Sequence, residues 1–532
     1  MKLLLINPPS ENEIVGNNPE IIESERGYSP PLGLLYIAAY LRKNSSHEIA
    51  VIDAPAERMS YSQLEKQIAS FAPDVAGITA MTFTIRDVLK TAAIVKKLNK
   101  NIKCVLGGPH VFIYPDETIN LPQIDFLILG EGEYVFKEFL DALENGGDLS
   151  KVPSLVYKKS NGEVLKTPLA PMIEDLDALP HPDRTMTPIE RYSSLIFSRT
   201  PVTTVFTSRG CPYGCKFCLR PHLGKKFRFR SAENVVSELE ECVKMGIRDF
   251  LFYDDTFTVI KKRVSDICDL IIKKKLDIRW DCRARVDTVN EEILVKMKEA
   301  GCIGLHYGIE SGSLRVLENI NKGITPQQAR DVCALTRKTG MKVLTYFMIG
   351  LPGETMADME ETFRLMKRVK ADYAHVTIFT PFPGTELYRD GLASGIIKKD
   401  CWREFAENPE DDFVPPHWGE YFTREELQEL LVKAYQGFYL RPARIASILF
   451  NIRTPGEFFR KARAGLKVMF MKKDRIRKNW YLFLTKPLSA ATVGEKRTHT
   501  IIKRWKFFSR NKFCRKILCW KRDARRESCL GD

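Results

Sequence analysis

Three cysteines stand close together in the run Cys211-Pro-Tyr-Gly-Cys215-Lys-Phe-Cys218. Thiolates at this spacing are soft ligands suited to an iron–sulfur cluster or to zinc. A structural zinc site needs four closed ligands, and the next candidates, His222 and Cys242, lack zinc spacing from the triplet. A cubane cluster on three cysteines instead keeps one iron open for a substrate. The triplet therefore predicts a 4Fe-4S cluster on Cys211, Cys215 and Cys218.

The alternative is that the three cysteines are small apolar residues on one buried helix face. Pro212 and Gly214 lie inside the triplet and disfavour a regular helix. The spacing therefore favours a ligand loop.

The triplet follows the first of six βα units between residues 196 and 430. The predicted strands are TTVFTSRGC, DFLFYDDTFT, IRWDCRARV, GCIGLHYGIESG, KVLTYFMIGLPGE and YAHVTIFTPFPGTELY. Helical segments such as 232–245 and 325–339 lie between them. This pattern predicts a TIM-type barrel or a partial (β/α)6 barrel, with its site at the carboxyl ends of the strands.

Residues 1–145 form an earlier α/β series. Apolar runs, KLLLINPP, HEIAVIDAP, VAGITAM, KCVLGGPH and FLILGEGE, alternate with helical stretches over 31–43, 61–71 and 85–98. Continuous apolar strands separated by helices indicate a doubly wound, Rossmann-like parallel sheet covered on both faces. Ligands bind such sheets at the loops that follow the strands. Residues 146–195 are Pro-rich and predict an irregular linker, and residues 431–532 predict a helical, basic extension.

The cysteine run resembles the Cys-x3-Cys-x-aromatic-Cys motif of the radical S-adenosylmethionine (SAM) superfamily, with Phe217 as the aromatic residue. In that family the open iron chelates SAM, and an electron from the cluster cleaves SAM to methionine and a 5′-deoxyadenosyl radical. The resemblance implies SAM contacts at later strand ends, at Tyr253, Asp254, Asp255, Arg285, Glu310, Gly350, Leu351 and Pro352. Tyr253-Asp254-Asp255 departs from the family's usual Gly-Gly-Glu, and each of these residues has a capping or turn role as its alternative.

Beside such a barrel, the amino-terminal domain resembles the cobalamin-binding domain of cobalamin-dependent radical SAM enzymes. The matching runs are LLINPP, SPPLGLLYIAAYL, VLGGPH and LGEGE. The resemblance implies a cobalamin site on the strand-end loops, formed by Asn7, Pro8, Gly107, Gly108, Pro109, His110, Gly130, Glu131 and Gly132.

Many cobalamin domains carry Asp-x-His-x-x-Gly, whose His ligates cobalt from below. Residues 1–145 contain only His47 and His110, and neither has an Asp two residues earlier. The resemblance therefore implies cobalamin with its base displaced and no His on cobalt. His110 either touches the corrin or its tail, or caps the following turn.

Charge is segregated along the chain. The net charge is +15, but residues 441–532 carry 26 Lys and Arg against 6 Asp and Glu, while the remainder has a net charge of −5. Aromatic residues are interleaved with these cations, which suits an anionic membrane surface or nucleic acid, and a solvated extension is the plain alternative. No apolar run is long enough to span a membrane, and the start predicts a strand rather than a secretion signal. We therefore predict a cytoplasmic protein, peripheral to the membrane's inner face if the tail binds lipid, with nucleic acid disfavoured as a partner.

These features predict a radical SAM enzyme that methylates an unactivated carbon, or phosphorus, through a 5′-deoxyadenosyl radical and methylcobalamin. The substrate would be a small molecule, such as a lipid or tetrapyrrole, and the electron donor a flavodoxin or ferredoxin. The first alternative is a cyclase or oxidoreductase that uses the same cofactors without methyl transfer.

Two further alternatives are disfavoured. A tRNA methylthiotransferase needs a second cluster on amino-terminal cysteines, but only Cys104 precedes residue 200. A non-catalytic cobalamin sensor would not need the three-cysteine loop. No residue is identified as a catalytic acid or base.

Overall fold

Two α/β units, each a sheet with its helices, form the part of the chain that positions the site. The computed structural model describes residues 1–14, 27–194, 197, 200–219, 224–442, 444–446, 462–463 and 465–471. Both sheets lie within one packing unit. A continuous hydrophobic core joins them, because side chains of both sheets belong to one buried cluster.

The first sheet is parallel over its first five strands. They are β1 (Lys2–Asn7), β2 (Glu48–Asp53), β3 (Val75–Thr79), β4 (Lys103–Gly107) and β5 (Phe126–Ile128). The spatial order is β2-β1-β3-β4-β5, so the chain winds outward in both directions from β1. Most residues of β1 and β3 are buried, as expected for strands covered on both faces. The predicted doubly wound sheet is confirmed.

Two further strands extend this sheet. They are β6 (Leu155–Lys158) and β7 (Val164–Lys166), which pair antiparallel beyond β5. The prediction of an irregular linker over 146–195 is therefore wrong for this segment. The strands are short, and their pairing to β5 is a tertiary contact that the local pattern does not report.

Helices cover both faces of the first sheet. They are α1 (Leu32–Asn44), α2 (Ala54–Glu57), α3 (Tyr61–Phe71), α4 (Ile85–Leu98), α5 (Pro109–Ile113), α6 (Pro115–Ile119) and α7 (Gly132–Glu144). Local sequence explains the start of α3: the Ser60 hydroxyl accepts from the Gln63 backbone N–H, and the Gln63 side chain accepts from the Ser60 N–H.

The second sheet has six parallel strands in chain order. They are β8 (Val202–Val205), β11 (Asp249–Phe252), β12 (Arg279–Ala284), β13 (Cys302–Glu310), β14 (Lys342–Ile349) and β15 (Tyr373–Ile378). Among the described residues β8 and β15 do not pair, so the barrel is partial. A short antiparallel pair, β9 (Ser208–Arg209) and β10 (Arg228–Phe229), brackets the cysteine loop.

Nine helices are described around and after this sheet. They are α8 (Ala232–Lys244), α9 (Lys261–Lys273), α10 (Glu291–Glu299), α11 (Leu314–Asn319), α12 (Pro326–Lys338), α13 (Met356–Arg368), α14 (Glu386–Ala393), α15 (Cys401–Glu407) and α16 (Arg424–Tyr439). Two phenols of α16 bond to β15, because Tyr435 and Tyr439 donate to the carbonyls of Val376 and Ala374. This helix closes the edge of the sheet.

The start of the basic extension packs on α16. The Gln436 amide lies 3.4 Å from the carbonyl oxygens of Val468 and Met469, and Val468 is buried. Residues 472–532, most of the predicted tail, lie outside the described residues. Within the described part of the chain, no helix has both the length and the apolar character to cross a membrane.

Candidate active site

The cysteine loop is tied to the barrel through its backbone. The Lys216 N–H donates to the Ile320 carbonyl at 3.1 Å, and the Cys218 N–H donates to the Cys215 carbonyl at 3.1 Å. The Asn321 amide donates to the Gly214 carbonyl at 2.8 Å. The loop is therefore fixed by the turn that follows α11.

The three thiols of this loop are free of disulfides. Cys211 is buried, with its Sγ 4.0 Å from the Thr256 hydroxyl, whereas Cys215 and Cys218 are half-buried. In the described ranges no three metal-binding side chains are gathered in coordination geometry. The donor set nevertheless fits a 4Fe-4S cluster with one open iron, because three thiols on one partly exposed loop supply three ligands and no fourth.

Asp254 is hydrogen-bonded to the segment that precedes the cysteine loop. Its fully buried carboxylate accepts from the Thr207 N–H at 2.6 Å, the Ser208 hydroxyl at 2.7 Å and the Thr207 hydroxyl at 2.5 Å. These groups belong to the segment that leads into Cys211. The Asp254 side chain, which was predicted to contact SAM, is thus hydrogen-bonded to protein groups, and these bonds position the loop.

Arg285 lies against the cysteine loop. Its guanidinium stacks on the Tyr213 ring at 3.8 Å and places Nη1 3.8 Å from the Cys215 Sγ. It also pairs with Asp287 at 2.9 Å and donates to the Lys322 carbonyl at 2.8 Å. The Arg285 guanidinium is therefore held beside the Cys215 thiol, and two of its nitrogens already donate to other protein acceptors.

Glu310 ends β13 in the left-handed region, with φ of +71°. Its carboxylate pairs with Lys322 at 2.7 Å, and both side chains are buried. The Lys322 ammonium lies 5.7 Å from the Phe217 ring centroid. Phe217 and Glu310, predicted separately, are thus joined through one lysine that the sequence reasoning missed.

The loop after β14 is closed by a buried acid. Glu354 accepts from the N–H groups of Gly350 and Leu351 at 2.6 and 3.0 Å. Burial raises the pKa of Glu354 to about 7. Gly350 has φ of +76°, and a Cβ there would lie 2.9 Å from Leu427 of α16. The predicted Gly350-Leu351-Pro352 loop is thus a rigid turn.

Tyr253 and Asp255, the two residues beside Asp254 that were also predicted to contact SAM, are exposed. Tyr253 follows β11, and its ring lies 3.8 Å from the Arg283 guanidinium carbon. The three residues that replace the family's Gly-Gly-Glu therefore divide into one buried support, Asp254, and two groups at the mouth of the barrel.

The amino-terminal loops meet at the carboxyl edge of the first sheet. The Asn7 amide donates to Asp53 at 2.8 Å, and the Tyr192 hydroxyl donates to the same carboxyl group at 2.8 Å. Burial raises the pKa of Asp53. Asn7 is thus held by protein contacts, and the adjoining Pro8 is buried.

The glycines of these loops differ in how much space lies beside the backbone. Gly108 has φ of +108°, and a Cβ there would lie 2.8 Å from the Ala80 carbonyl oxygen. Gly130 has φ of +80° with nothing within 4 Å of a Cβ, whereas a Cβ on Gly132 would meet Ile37 at 2.9 Å. Gly107 and Pro109 flank the Gly108 turn. Of these three glycines, only Gly130 has open space beside its backbone that could admit a bulky ligand such as cobalamin, whereas Gly108 and Gly132 are in close contact with the protein.

His110 is fully buried in α5. Its Nδ1 lies 3.1 Å from the Thr82 hydroxyl, and its Nε2 has no hydrogen-bond partner among the described residues. Burial lowers the pKa of His110 to about 4, so the ring is neutral at pH 7. The His110 side chain thus bonds to the loop after β3 and not to the turn that follows it, so the predicted capping role is not seen, and the predicted contact with the corrin stays a prediction.

Glu131 joins the two cofactor loops. It accepts from Arg209 at 2.6 Å and Arg228 at 2.7 Å, and the neighbouring Glu133 accepts from Arg209 at 2.5 Å. Arg209 lies two residues before Cys211. The Glu131 side chain, predicted to contact cobalamin, is therefore an ionic connection to the cysteine loop, which the sequence reasoning missed.

A polar inner barrel face was also missed. His306 lies between Asp281, 3.2 Å from its Nε2, and the Tyr346 hydroxyl, 3.1 Å from its Nδ1. The available signal was the alternation within GCIGLHYGIESG and KVLTYFMIGLPGE, where these side chains occupy the face opposite the buried apolar residues.

Two family models match the chain. One, described as the Radical SAM superfamily, covers residues 205–366, and the other, described as the B12 binding domain, covers residues 21–140. A solved structure of OxsB, a cobalamin-dependent SAM radical enzyme with aqua-cobalamin and SAM bound, aligns with a TM-score of 0.68 at 17% identity. That alignment covers 88% of this chain and 72% of the OxsB chain.

Two relatives match over most of their length. A Pyrococcus horikoshii protein, named as the uncharacterized methyltransferase PH0819, is 40% identical over 85% of this chain and 95% of its own. An anaerobic magnesium-protoporphyrin IX monomethyl ester cyclase of Rubrivivax gelatinosus is 29% identical over 83% of this chain and 78% of its own.

Proposed function

Because the chain belongs to the family of radical SAM enzymes that carry a B12-binding domain, we propose that it methylates an unactivated carbon, or phosphorus, of a small molecule. Its cofactors are a 4Fe-4S cluster, SAM and cobalamin. When bound, the cluster and SAM supply a hydrogen-abstracting radical, and cobalamin supplies a methyl group. The work of the chain's own residues is to hold these groups around one substrate.

The observation that carries this proposal is the ionic connection through Arg209. This residue lies two positions before Cys211 and bonds to Glu131, in the loop after β5, and to Glu133, in the first turn of α7. Its two terminal nitrogens each donate to a different carboxylate, so the pairing restrains the orientation of the two segments as well as their separation. A methyl donor and a radical source must reach the same substrate, and loops joined in this way support that arrangement.

The individual cofactor contacts are part of the proposal. Cys211, Cys215 and Cys218 would hold the cluster, with Arg285 orienting Cys215. The rigid loop at Gly350–Pro352 and the exposed groups near Tyr253 would border SAM. Residues 1–145 would be the cobalamin domain, with β6 and β7 added to its sheet, and 196–430 the radical SAM core.

A cyclase or oxidoreductase is the second candidate. The Rubrivivax relative, named as a cyclase, supports it because the match extends across both matched domains. In that case the same residues would hold the cofactors, and no methyl group would reach the product.

The test is product analysis with anaerobically reconstituted full-length protein. With SAM, a low-potential reductant such as flavodoxin or ferredoxin, and candidate tetrapyrroles or lipids, we expect 5′-deoxyadenosine, S-adenosylhomocysteine and a methylated product. Cys215→Ala should abolish 5′-deoxyadenosine, whereas Cys401→Ala, at a half-buried thiol outside the loop, should not. A modified product without methyl or S-adenosylhomocysteine would favour the cyclase, and 5′-deoxyadenosine from Cys215→Ala would contradict the cluster assignment.

We further propose that the basic extension binds an anionic membrane surface. Near its start, Leu466, Met469 and Phe470 expose between 49 and 65% of their surface, while Val468 anchors this segment to α16. Cations next to exposed apolar side chains suit a lipid headgroup region. A lipid or membrane-dissolved substrate would make such binding useful.

A further inference from the structure

The inner face of the second sheet is polar. Along β12, Trp280, Cys282 and Ala284 are buried in the core, so Asp281 and Arg283 project from the opposite face. Arg283 stands in register with His306 of β13, and Tyr346 of β14 stands in register with His375 of β15. These side chains form a layer across four neighbouring strands, which we call the inner layer.

Hydrogen bonds order the inner layer. His306 Nε2 lies 3.2 Å from the Asp281 carboxylate and His306 Nδ1 lies 3.1 Å from the Tyr346 hydroxyl. A neutral ring with its proton on Nε2 donates to Asp281 and accepts from Tyr346. Tyr346 then contacts the His375 ring edge-on, with centroids 5.7 Å apart. The series of hydrogen bonds therefore runs from Asp281 through His306 and ends at Tyr346.

Arg283 differs from the other arginines around this barrel. Its guanidinium lies 3.8 Å over the Tyr253 ring, and it is half-buried. Among the described residues no carboxylate lies within 4.0 Å of it. The other buried or half-buried arginines nearby all have carboxylate or carbonyl partners, and they are Arg209, Arg228, Arg230, Arg263, Arg279 and Arg285.

A half-buried cation without a protein anion is costly unless a ligand supplies one. Stacking on Tyr253 holds the guanidinium plane in place, and such an orientation suits bidentate recognition of a carboxylate or phosphoryl group. The Tyr346 hydroxyl bonds to His306, which stands in register with Arg283 on the neighbouring strand, so the phenol borders the same space.

We propose that Arg283 binds an anionic oxygen group, carboxylate or phosphoryl, of the enzyme's substrate, with Tyr346 and the histidines of the inner layer as hydrogen-bonding neighbours. This inference rests on the proposed function, because it names the substrate class of that site. Arg283 acts as a specificity-determining residue.

The SAM carboxylate is the competing anion. Arg285, just past the end of β12, and Lys322, in the turn after α11, lie beside the cysteine loop, whereas Arg283 is two residues earlier on β12 than Arg285. Two residues of strand correspond to about 6.6 Å. Arg283 therefore lies one layer deeper in the barrel than the groups around the cluster.

The test uses reconstituted full-length protein with SAM present, and acetate, inorganic phosphate and neutral acetamide as probes. We expect acetate or phosphate, but not acetamide, to raise the unfolding temperature saturably. Arg283→Gln should weaken that anion affinity about tenfold or more, and Arg283→Lys should weaken it less. Arg248→Gln, at an exposed arginine paired with Asp277, is the matched control and should behave as wild type.

Two outcomes would overturn the proposal. One is an identical anion response in wild type and Arg283→Gln. The other is a comparable loss of SAM affinity in Arg283→Gln, which would assign the guanidinium to the SAM carboxylate. A protein that binds anions through Arg283 but transfers no methyl group would contradict the proposed function and leave this site standing.

Discussion

At the scale of single residues, most charged groups of the site have polar or charged protein partners, and one, Arg283, has only an aromatic partner among the described residues. Asp254, Glu131 and Arg285 each have protein partners, and their work is to position loops. The paired groups therefore build the site, and the unpaired one points to a ligand.

Glu354 allows a test at this scale through pH. Burial raises its pKa to about 7 from 4.5, so its stabilising contribution is fully present below pH 4.5 and is lost as pH rises through 7. At pH 8 the buried charge costs up to about 3 kcal/mol. Glu354→Gln keeps the acceptor oxygen without the charge, so its thermal unfolding temperature should exceed wild type at pH 8 and match it near pH 4.

The control for this change is Glu360→Gln, a substitution of the same type at an exposed position of α13. The difference in unfolding temperature between Glu360→Gln and wild type should stay constant across the same pH range. A pH-independent difference for Glu354→Gln would show that the buried acid is not protonated in the folded protein.

At the scale of elements, the loops after parallel strands determine what the sheets can bind. Gly108 follows β4 with φ of +108°, a conformation that other residues adopt only with strain, and Ala80 leaves no room for a Cβ. The loop after β4 thus depends on glycine for both conformation and space.

Two glycine substitutions separate conformation from space. Gly108→Ala should cost about 1–3 kcal/mol of stability from its backbone alone, and more from the contact with Ala80, and should lower cobalamin affinity at least tenfold. Gly130→Ala, also at positive φ but with no atom within 4 Å, should incur only the conformational cost. Cobalamin titration and thermal unfolding measure both effects, and equal losses in the two variants would contradict the steric account.

At the scale of the whole molecule, the two sheets share one core and are also joined by ion pairs. Arg209, with Glu131 and Glu133, couples the cysteine loop to the first sheet, and Arg403 of α15 pairs with Glu117 of α6 at 2.9 Å. Ion pairs therefore join the two domains at more than one place.

The proposed membrane contact is tested at this scale by truncation. A chain ending at residue 440 removes the basic extension together with the exposed side chains of Leu466, Met469 and Phe470. Full-length protein should co-sediment with vesicles containing anionic lipid, less at high salt, and not with neutral vesicles. The truncated chain should remain in the supernatant, and equal sedimentation of both chains would indicate that the extension is not the membrane contact.

Local sequence determined much of this protein. Helices over 61–71 and 85–98 have the bounds that their amphipathic patterns predict. All eleven predicted strands form, because apolar runs between turn residues report burial directly. The cysteine triplet needs only its spacing to indicate a cluster.

Only the tertiary structure decided which predicted residues are held by protein partners and which are exposed at the strand ends. Asp254 and Glu131 are acids at strand ends in the sequence, and their arginine, threonine and serine partners come from other elements. The same holds for β6 and β7, which join the first sheet through pairing with β5. Pairings across large sequence separations leave no periodic signal, so a pattern that predicts burial cannot report which group a charged side chain meets.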